Sequence, residues 1–338
     1  MKKNGFSNEG IILVLGVTGS GKSYFLNKLK SHSVQEGHGL QSETAQCQAV
    51  QIFLDDDDHD DDHDDGEGER RRSITVVDTP GFDDTNRPQG EILAEITEFL
   101  ATQHELGVPL RGVLYLHKIT DNKMTGSSLT YLNLLRSLVG EDALGNVVLV
   151  TNMWNKLRDE DRGQALRREQ ELVNNYWGPM QRKGSYVVQF DGTTDSAFGL
   201  IYQLAGKESV VLDVQKQIMD QDQSILGTSA GGDLARKLGN DIKFYQDKVA
   251  QLQGQLEDEL RTPRRNGERI RRLQEDKARM EEQLKIATKS MERMRVRPSS
   301  SIRQRLKQAL KGRKQDAALV LAAVLNLTLT VVQLGLGG

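Results

Sequence analysis

The chain has 338 residues, a formal charge of −3 and 28% charged residues, with a mean hydropathy of −0.54. That length suggests about two domains, the near-neutral balance gives no reason to expect a nucleic-acid partner, and the low hydropathy excludes a single compact apolar globule. A lone cysteine, Cys47, excludes an intramolecular disulfide and fits a reducing, cytoplasmic compartment.

Met1-Lys2-Lys3 ahead of an apolar run superficially resembles a secretory leader. The apolar stretch Ile11–Leu15 is short, however, and runs straight into a glycine-rich turn, so it reads as a first buried strand. The turn is Gly16-Val-Thr18-Gly19-Ser20-Gly21-Lys22-Ser23, and it opens a helix-like stretch from Tyr24 to Leu29. Glycines at these spacings let backbone N–H groups converge on phosphate oxygens, and the helix N-terminus adds a favourable dipole. Residues 16–24 other than Val17 are therefore candidate nucleotide contacts. Lys22 is assigned to the β- and γ-phosphates and Ser23 to Mg²⁺.

A strand is expected from Gln46 to Leu54, with Thr44 just before it, where a hydroxyl could close over Mg²⁺. The run Asp55–Asp65 follows, carrying His59 and His63 four residues apart. It is read either as a solvated, self-repelling loop or as a divalent-metal site, and Arg70–Arg72 are expected to offset part of its charge. Ser73–Val77 is a β-branched strand ending in Asp78-Thr79-Pro80-Gly81. Asp78 is placed to hold the Mg²⁺ hydration shell, and the Gly81 N–H to sense the γ-phosphate.

The loop 16–23, the Gly-Leu-Gln-Ser-Glu-Thr segment ending at Thr44, and Asp78-Thr-Pro-Gly-Phe-Asp-Asp84 together resemble septin- and immunity-associated-type GTPases. Chloroplast-import (Toc-type) GTPases are related to these, and the resemblance points in particular to fungal G domain-containing proteins. It is strengthened by Gly112–Asp121 and Val148–Trp154, covers residues 8–205 well, and continues weakly through 228–232. It implies GTP/GDP and Mg²⁺ as ligands, slow GTP hydrolysis, and a nucleotide-controlled switch regulated by pairing of G domains. The alternative is a nucleotide-stabilised scaffold with little turnover.

Two departures qualify the resemblance. Phe82 stands where many small GTPases place a water-orienting Gln, so intrinsic hydrolysis is expected to be slow. After the strand Val147–Val150 comes Thr151-Asn152-Met153-Trp154, with no base-reading Asp among these residues. Asn152 and Trp154 are the candidate contacts there; the Trp154 ring either stacks on the base or packs in the core. Gly192–Ala197 is a candidate last base-contacting loop. By resemblance, Lys118, with His117 second, is the cation that acts on a partner's phosphates; the other reading of Lys118 is a solvated loop lysine.

Helical periodicity at Glu91–Leu100, Leu129–Leu138, Leu166–Tyr176 and Ala197–Leu204 alternates with the strands. This predicts an α/β P-loop NTPase fold, with a mainly parallel sheet and helices on both faces. Residues 1–212 form the expected G domain and 213–232 a linker. Residues 233–297, broken by Pro263 and Gly267, form an expected antiparallel coiled-coil hairpin, either a partner-binding arm or a pair folded onto the G domain. Residues 298–338 are a basic segment and an apolar tail. Its residues 317–336 are expected either to associate with a membrane or to pack as a buried helix. A homodimer through the G domain, the hairpin or both is the expected assembly.

Overall fold

A computed structural model describes residues 7–29, 47–54, 72–82, 84, 87–310 and 328–332. Strand β1 (Ser7–Gly16) lies between β3 (Arg72–Asp78) and β4 (Leu110–Lys118), parallel to both. Beyond β4 come β5 (Val147–Asn152) and β6 (Tyr186–Gln189), also parallel. On the other side β2 (Gln48–Phe53) pairs antiparallel with β3, and β7 (Thr328–Val332) pairs parallel with β2. The sheet order is β6-β5-β4-β1-β3-β2-β7. A mainly parallel sheet with crossover helices was the expected architecture.

The continuous apolar run of β1 follows from burial on two faces. Ile11, Leu13 and Leu15 pack with α2 (Gln89–Glu105) and α3 (Gly126–Val139). Ile12 and Val14 face the opposite layer of α1 (Lys22–Leu29) and α6 (Thr194–Ala205). Helix α4 (Asp159–Leu172) continues into a π turn, Val173–Trp177, that buries Trp177, and one further turn, α5 (Gly178–Gln181), leads to β6. The parallel strands send their C-terminal ends, and the loops after β1, β3 and β5, to one edge.

Arg72, at the start of β3, forms a two-pronged pair with Glu9 of β1, at 2.6 and 2.9 Å, which lowers the Glu9 pKa. The acidic run 55–65 and Thr44 lie outside the described residues.

The segment expected as a linker is packed. From α7 (Asp213–Gln215) onward, Val214, Ile218, Met219, Ile225 and Ala230 are buried in the same cluster as α2 and α3. Gln215 donates to the Leu100 carbonyl at 2.9 Å, and its side-chain oxygen accepts from the Leu212 N–H at 2.7 Å. The fourfold spacing of Val214 and Ile218 carries an amphipathic face that the polar residues around it obscured.

Two long helices follow, α8 (Ser229–Arg261) and α9 (Gly267–Arg293), broken where Pro263 and Gly267 suggested. Thr228 caps α8 by accepting from the Gly231 N–H at 3.0 Å, and Asn266 caps α9 by accepting from Arg269 at 3.1 Å. The pair pack on each other, with Leu256 and Leu273 buried near the turn. Its other end docks on the sheet domain: Asp233 accepts from Ser137, and Arg293 pairs with Glu98 at 3.0 Å.

Helix α10 (Ser299–Ala309) buries Ile302 and Leu306, and it turns Arg303 toward Glu105 (3.3 Å) and Arg305 toward Glu98 (3.6 Å). Part of the basic segment is thereby matched by acids of α2. Five tail residues form β7, and the remainder of 317–336 lies outside the described residues. Among the described residues, no helix is long and apolar enough to cross a membrane.

Candidate functional site

The loop between β1 and α1 closes on itself and on β5. Gly21 has φ +93°, and a Cβ there would collide with the Asn152 amide nitrogen, so the position requires glycine. Asn152 donates to the Ser20 carbonyl at 2.9 Å and accepts from the Met153 N–H at 2.6 Å. This predicted nucleotide contact thus clips the loop to the end of β5. Lys22, 6% exposed, rests its ammonium 3.2 Å from both the Gly16 and Val17 carbonyl oxygens.

Across the loop, the Ser23 hydroxyl donates to Asp78 Oδ2 at 2.8 Å. Asp78 is fully buried; burial raises its pKa, against which the Lys22 charge and the Ser23 hydrogen bond act. Its Oδ1 and the Ser20 hydroxyl are buried without a hydrogen-bond partner. A hydroxyl beside a carboxylate with one oxygen to spare is a hard donor set, and it fits Mg²⁺. Thr79 donates to the Val14 carbonyl at 2.8 Å, tying the end of β3 to β1. Gly81 lies directly against Thr18, where any Cβ would strike the Thr18 backbone and hydroxyl. The loop after β3 is therefore in contact with the phosphate loop. Phe82 is 2% exposed and stacks on Tyr131, with centroids 5.6 Å apart and planes 10° apart. It anchors that loop beneath α3 and presents nothing polar.

In the first turn of α1, the Tyr24 hydroxyl donates to the Gly192 carbonyl at 3.3 Å and accepts from the Asn155 amide at 3.2 Å. Tyr24, Asn155 and the loop that starts at Gly192 thus converge. Asn155 was missed in the sequence, although it stands three residues after Asn152, the spacing of the Asn-Lys-x-Asp pattern. Trp154 is corrected: it is 6% exposed, and its indole N–H donates inward to Thr151 Oγ1 at 3.0 Å. With that hydrogen bond and a core position, the ring packs the base of the loop and does not stack on a nucleobase.

Lys118 ends β4 and pairs with Asp121 at 3.3 Å. It borders a polar cleft of about 250 Å³ with Asp121, Lys123, Arg168, Glu171 and Tyr176, and no residue of the phosphate loop lines that cleft. Its neighbour His117 is 4% exposed, edge-on to Trp177. Burial lowers the His117 pKa to about 4, Asp121 opposes this and Lys118 assists it. A buried neutral imidazole cannot serve as the cation considered second to Lys118. Its folded pKa lies below the unfolded one, so its contribution to stability is full above about pH 6.5 and is lost as pH falls toward 4. Replacement by His117→Gln is expected to flatten the stability–pH curve between these values by about 3 kcal/mol, read from urea melts. An unchanged slope would refute the assignment.

The strand order, the glycine loop running from β1 into α1, and Asp78 at the end of β3 are the arrangement of a P-loop NTPase fold. No protein-family model matches the chain, and no curated protein matches it. Similar solved structures include Toc33 from Arabidopsis thaliana in complex with GDP and Mg²⁺, at 16% identity over 61% of this chain and 89% of that one, TM-score 0.44. Another holds the chloroplast translocon components atToc33 and psToc159, for whose GTPase activity dimerization is important; it is 16% identical over 60% of this chain and 85% of that one, TM-score 0.43. A third is Era from Aquifex aeolicus bound to GDP·AlF4⁻, at 14% identity over 60% and 57%, TM-score 0.40. At these scores the likenesses carry no weight of their own, and the class rests on the topology and the loop.

Proposed function

We propose that the chain binds guanine nucleotide with Mg²⁺ and hydrolyses GTP slowly, its conformation following the state of the γ-phosphate. The observation that carries this reading is the Ser23–Asp78 pair at 2.8 Å beside the buried Lys22 ammonium. Loop amides and Lys22 bind the β- and γ-phosphates, and Ser23 and Asp78 hold the metal, with Thr44 proposed to join them. Mg²⁺ would neutralise charge developing on the phosphate oxygens. Gly81 is proposed to offer its N–H to the γ-phosphate, and its contact with Thr18 supports this. Phe82, buried in the core, has no polar atom with which to orient water, and this supports the slow intrinsic rate proposed.

The missing positive charge is proposed to come from Lys118 of a second copy, through pairing of G domains. Lys118→Ala is expected to abolish any rise of specific activity with protein concentration. A wild-type rate independent of concentration would remove the pairing. Multiple turnover in magnesium separates this switch from the scaffold alternative, which predicts full occupancy without turnover.

Residues 1–212 are proposed as the G domain and 233–297 as a coiled-coil hairpin in the strict heptad sense, available for homodimer contacts. The same holds for a cytoplasmic location with membrane association through 317–336. Affiliation with the septin-, immunity-associated and chloroplast-import types, and with fungal proteins among them, rests on the motifs at 16–23, 39–44 and 78–84.

A further inference from the structure

The first turn of α2 is gripped from two sides. On the nucleotide side, Phe82 lies flat on Tyr131, and the Tyr131 hydroxyl accepts from Gln89 Nε2 at 2.6 Å. On the other side, Gln89 Oε1 accepts from Lys237 Nζ of α8 at 3.0 Å, and Asp241, 3.1 Å from the same ammonium, holds it in place. Next to Gln89, the backbone of Gly90 meets the backbone of Ser290 in α9, so closely that a Cβ at residue 90 would collide with the Ser290 carbonyl. Immediately beside that contact, Lys289 pairs with Glu91 at 2.8 Å. Thr18, Gly81, Phe82, Tyr131, Gln89 and Lys237 are therefore successive contacts from the phosphate loop to the hairpin.

We infer that docking of the α8–α9 hairpin on α2 is coupled to the γ-phosphate-sensing loop, with Gln89 and Lys237 as positioning residues. The inference deepens the nucleotide-switch reading and rests on it. Close-packed interiors transmit displacement instead of absorbing it, so Phe82 cannot shift without moving Tyr131 or breaking the stack. Tyr131 in turn shares its hydroxyl with the turn that the hairpin holds. Coupling free energy is reciprocal: if triphosphate and diphosphate set different positions of this turn, loosening the hairpin must change the ratio of the two affinities. A purely structural brace would move both affinities together.

The test uses the full chain and two fluorescent ligands, GDP and a non-hydrolysable GTP analogue, in millimolar magnesium. Gly90→Ala blocks the approach of α9, and Lys237→Met removes the hydrogen bond to Gln89. Each is expected to change the triphosphate-to-diphosphate affinity ratio by about fivefold or more, whereas Lys237→Arg, which can still donate to Gln89, preserves it. Should Gly90→Ala fail to fold, the half-buried Lys237 pair carries the comparison. An unchanged ratio in Lys237→Met, or an equal loss in Lys237→Arg, overturns the coupling and leaves the nucleotide site standing. Failure of the unaltered chain to bind either ligand overturns both.

Discussion

Lys22→Met is expected to lose triphosphate binding by about a hundredfold or more while leaving the fold in place. The substitution keeps the apolar stem that packs at the base of α1 and removes the ammonium. Hydrogen bonds to charged groups contribute roughly 1.5–3 kcal/mol each, and the two phosphates assigned to Lys22 together give about 3 kcal/mol at the low end. In the unliganded protein Lys22 lowers the Asp78 pKa, against its burial. Removing it leaves that carboxylate harder to ionise, so a modest drop in melting temperature accompanies the loss. Titration of a fluorescent triphosphate in millimolar magnesium, well below the melting transition, measures the effect. Unchanged affinity in the variant would show that the loop grips no phosphate through this side chain.

Asn155→Asp is expected to shift base preference toward guanine by about ten- to a hundredfold over ATP and XTP, with little change in the contribution from the phosphates. A carboxylate accepts hydrogen bonds from both N1 and N2 of guanine, and at 1.5–3 kcal/mol for a charged acceptor this gives discrimination of about that size. The neutral amide in the native chain offers one acceptor oxygen and an NH₂ that faces a donor edge. The wild type is therefore expected to select GTP less sharply, since xanthine, whose C2 carbonyl can accept from that NH₂ while its N1–H donates to the amide oxygen, fits the side chain at least as well. Its Nδ2 already donates to the Tyr24 hydroxyl, which keeps the side chain at the mouth of the Gly192 loop. Competition of GTP, ATP and XTP against a fluorescent guanine nucleotide reads the change, and an unaltered ranking in the variant would remove Asn155 from the base end of the site.

The parts legible in the sequence are those where one residue type answers one local requirement. Gly21 needs positive φ, β1 needs apolar residues on two faces, and Asp78 ends a β-branched strand. Pro263 and Gly267 interrupt a long helical period. What was hidden depends on contacts between distant segments. Trp154 read equally well as a stacking ring or a core ring, and its burial in the cluster that includes Ala165 and Leu172 of α4, with its indole turned back on Thr151 at the end of β5, decides for the core. Asn155 stands at the right spacing, but it carries an amide where the familiar pattern has a carboxylate. Residues 213–232 look like a linker because their polar side chains outnumber the few apolar ones that pack. Gly90 is an ordinary helix residue until Ser290 of α9, two hundred positions away, is laid against it. Phe82 signalled a missing catalytic side chain in the sequence, and the stack on Tyr131 shows what it supplies instead.

Strand β7 has a consequence for the sheet's outer border. Every strand that ends a sheet leaves a row of backbone donors and acceptors open to a foreign chain. Here Gln48–Phe53, whose side chains are largely buried, has that row covered by Thr328–Val332 of its own polypeptide. Residues Thr328–Val332 thus act as a selvedge, and if they are drawn away, into a lipid layer or another molecule, the row on β2 is laid bare beside the loops proposed to hold the nucleotide.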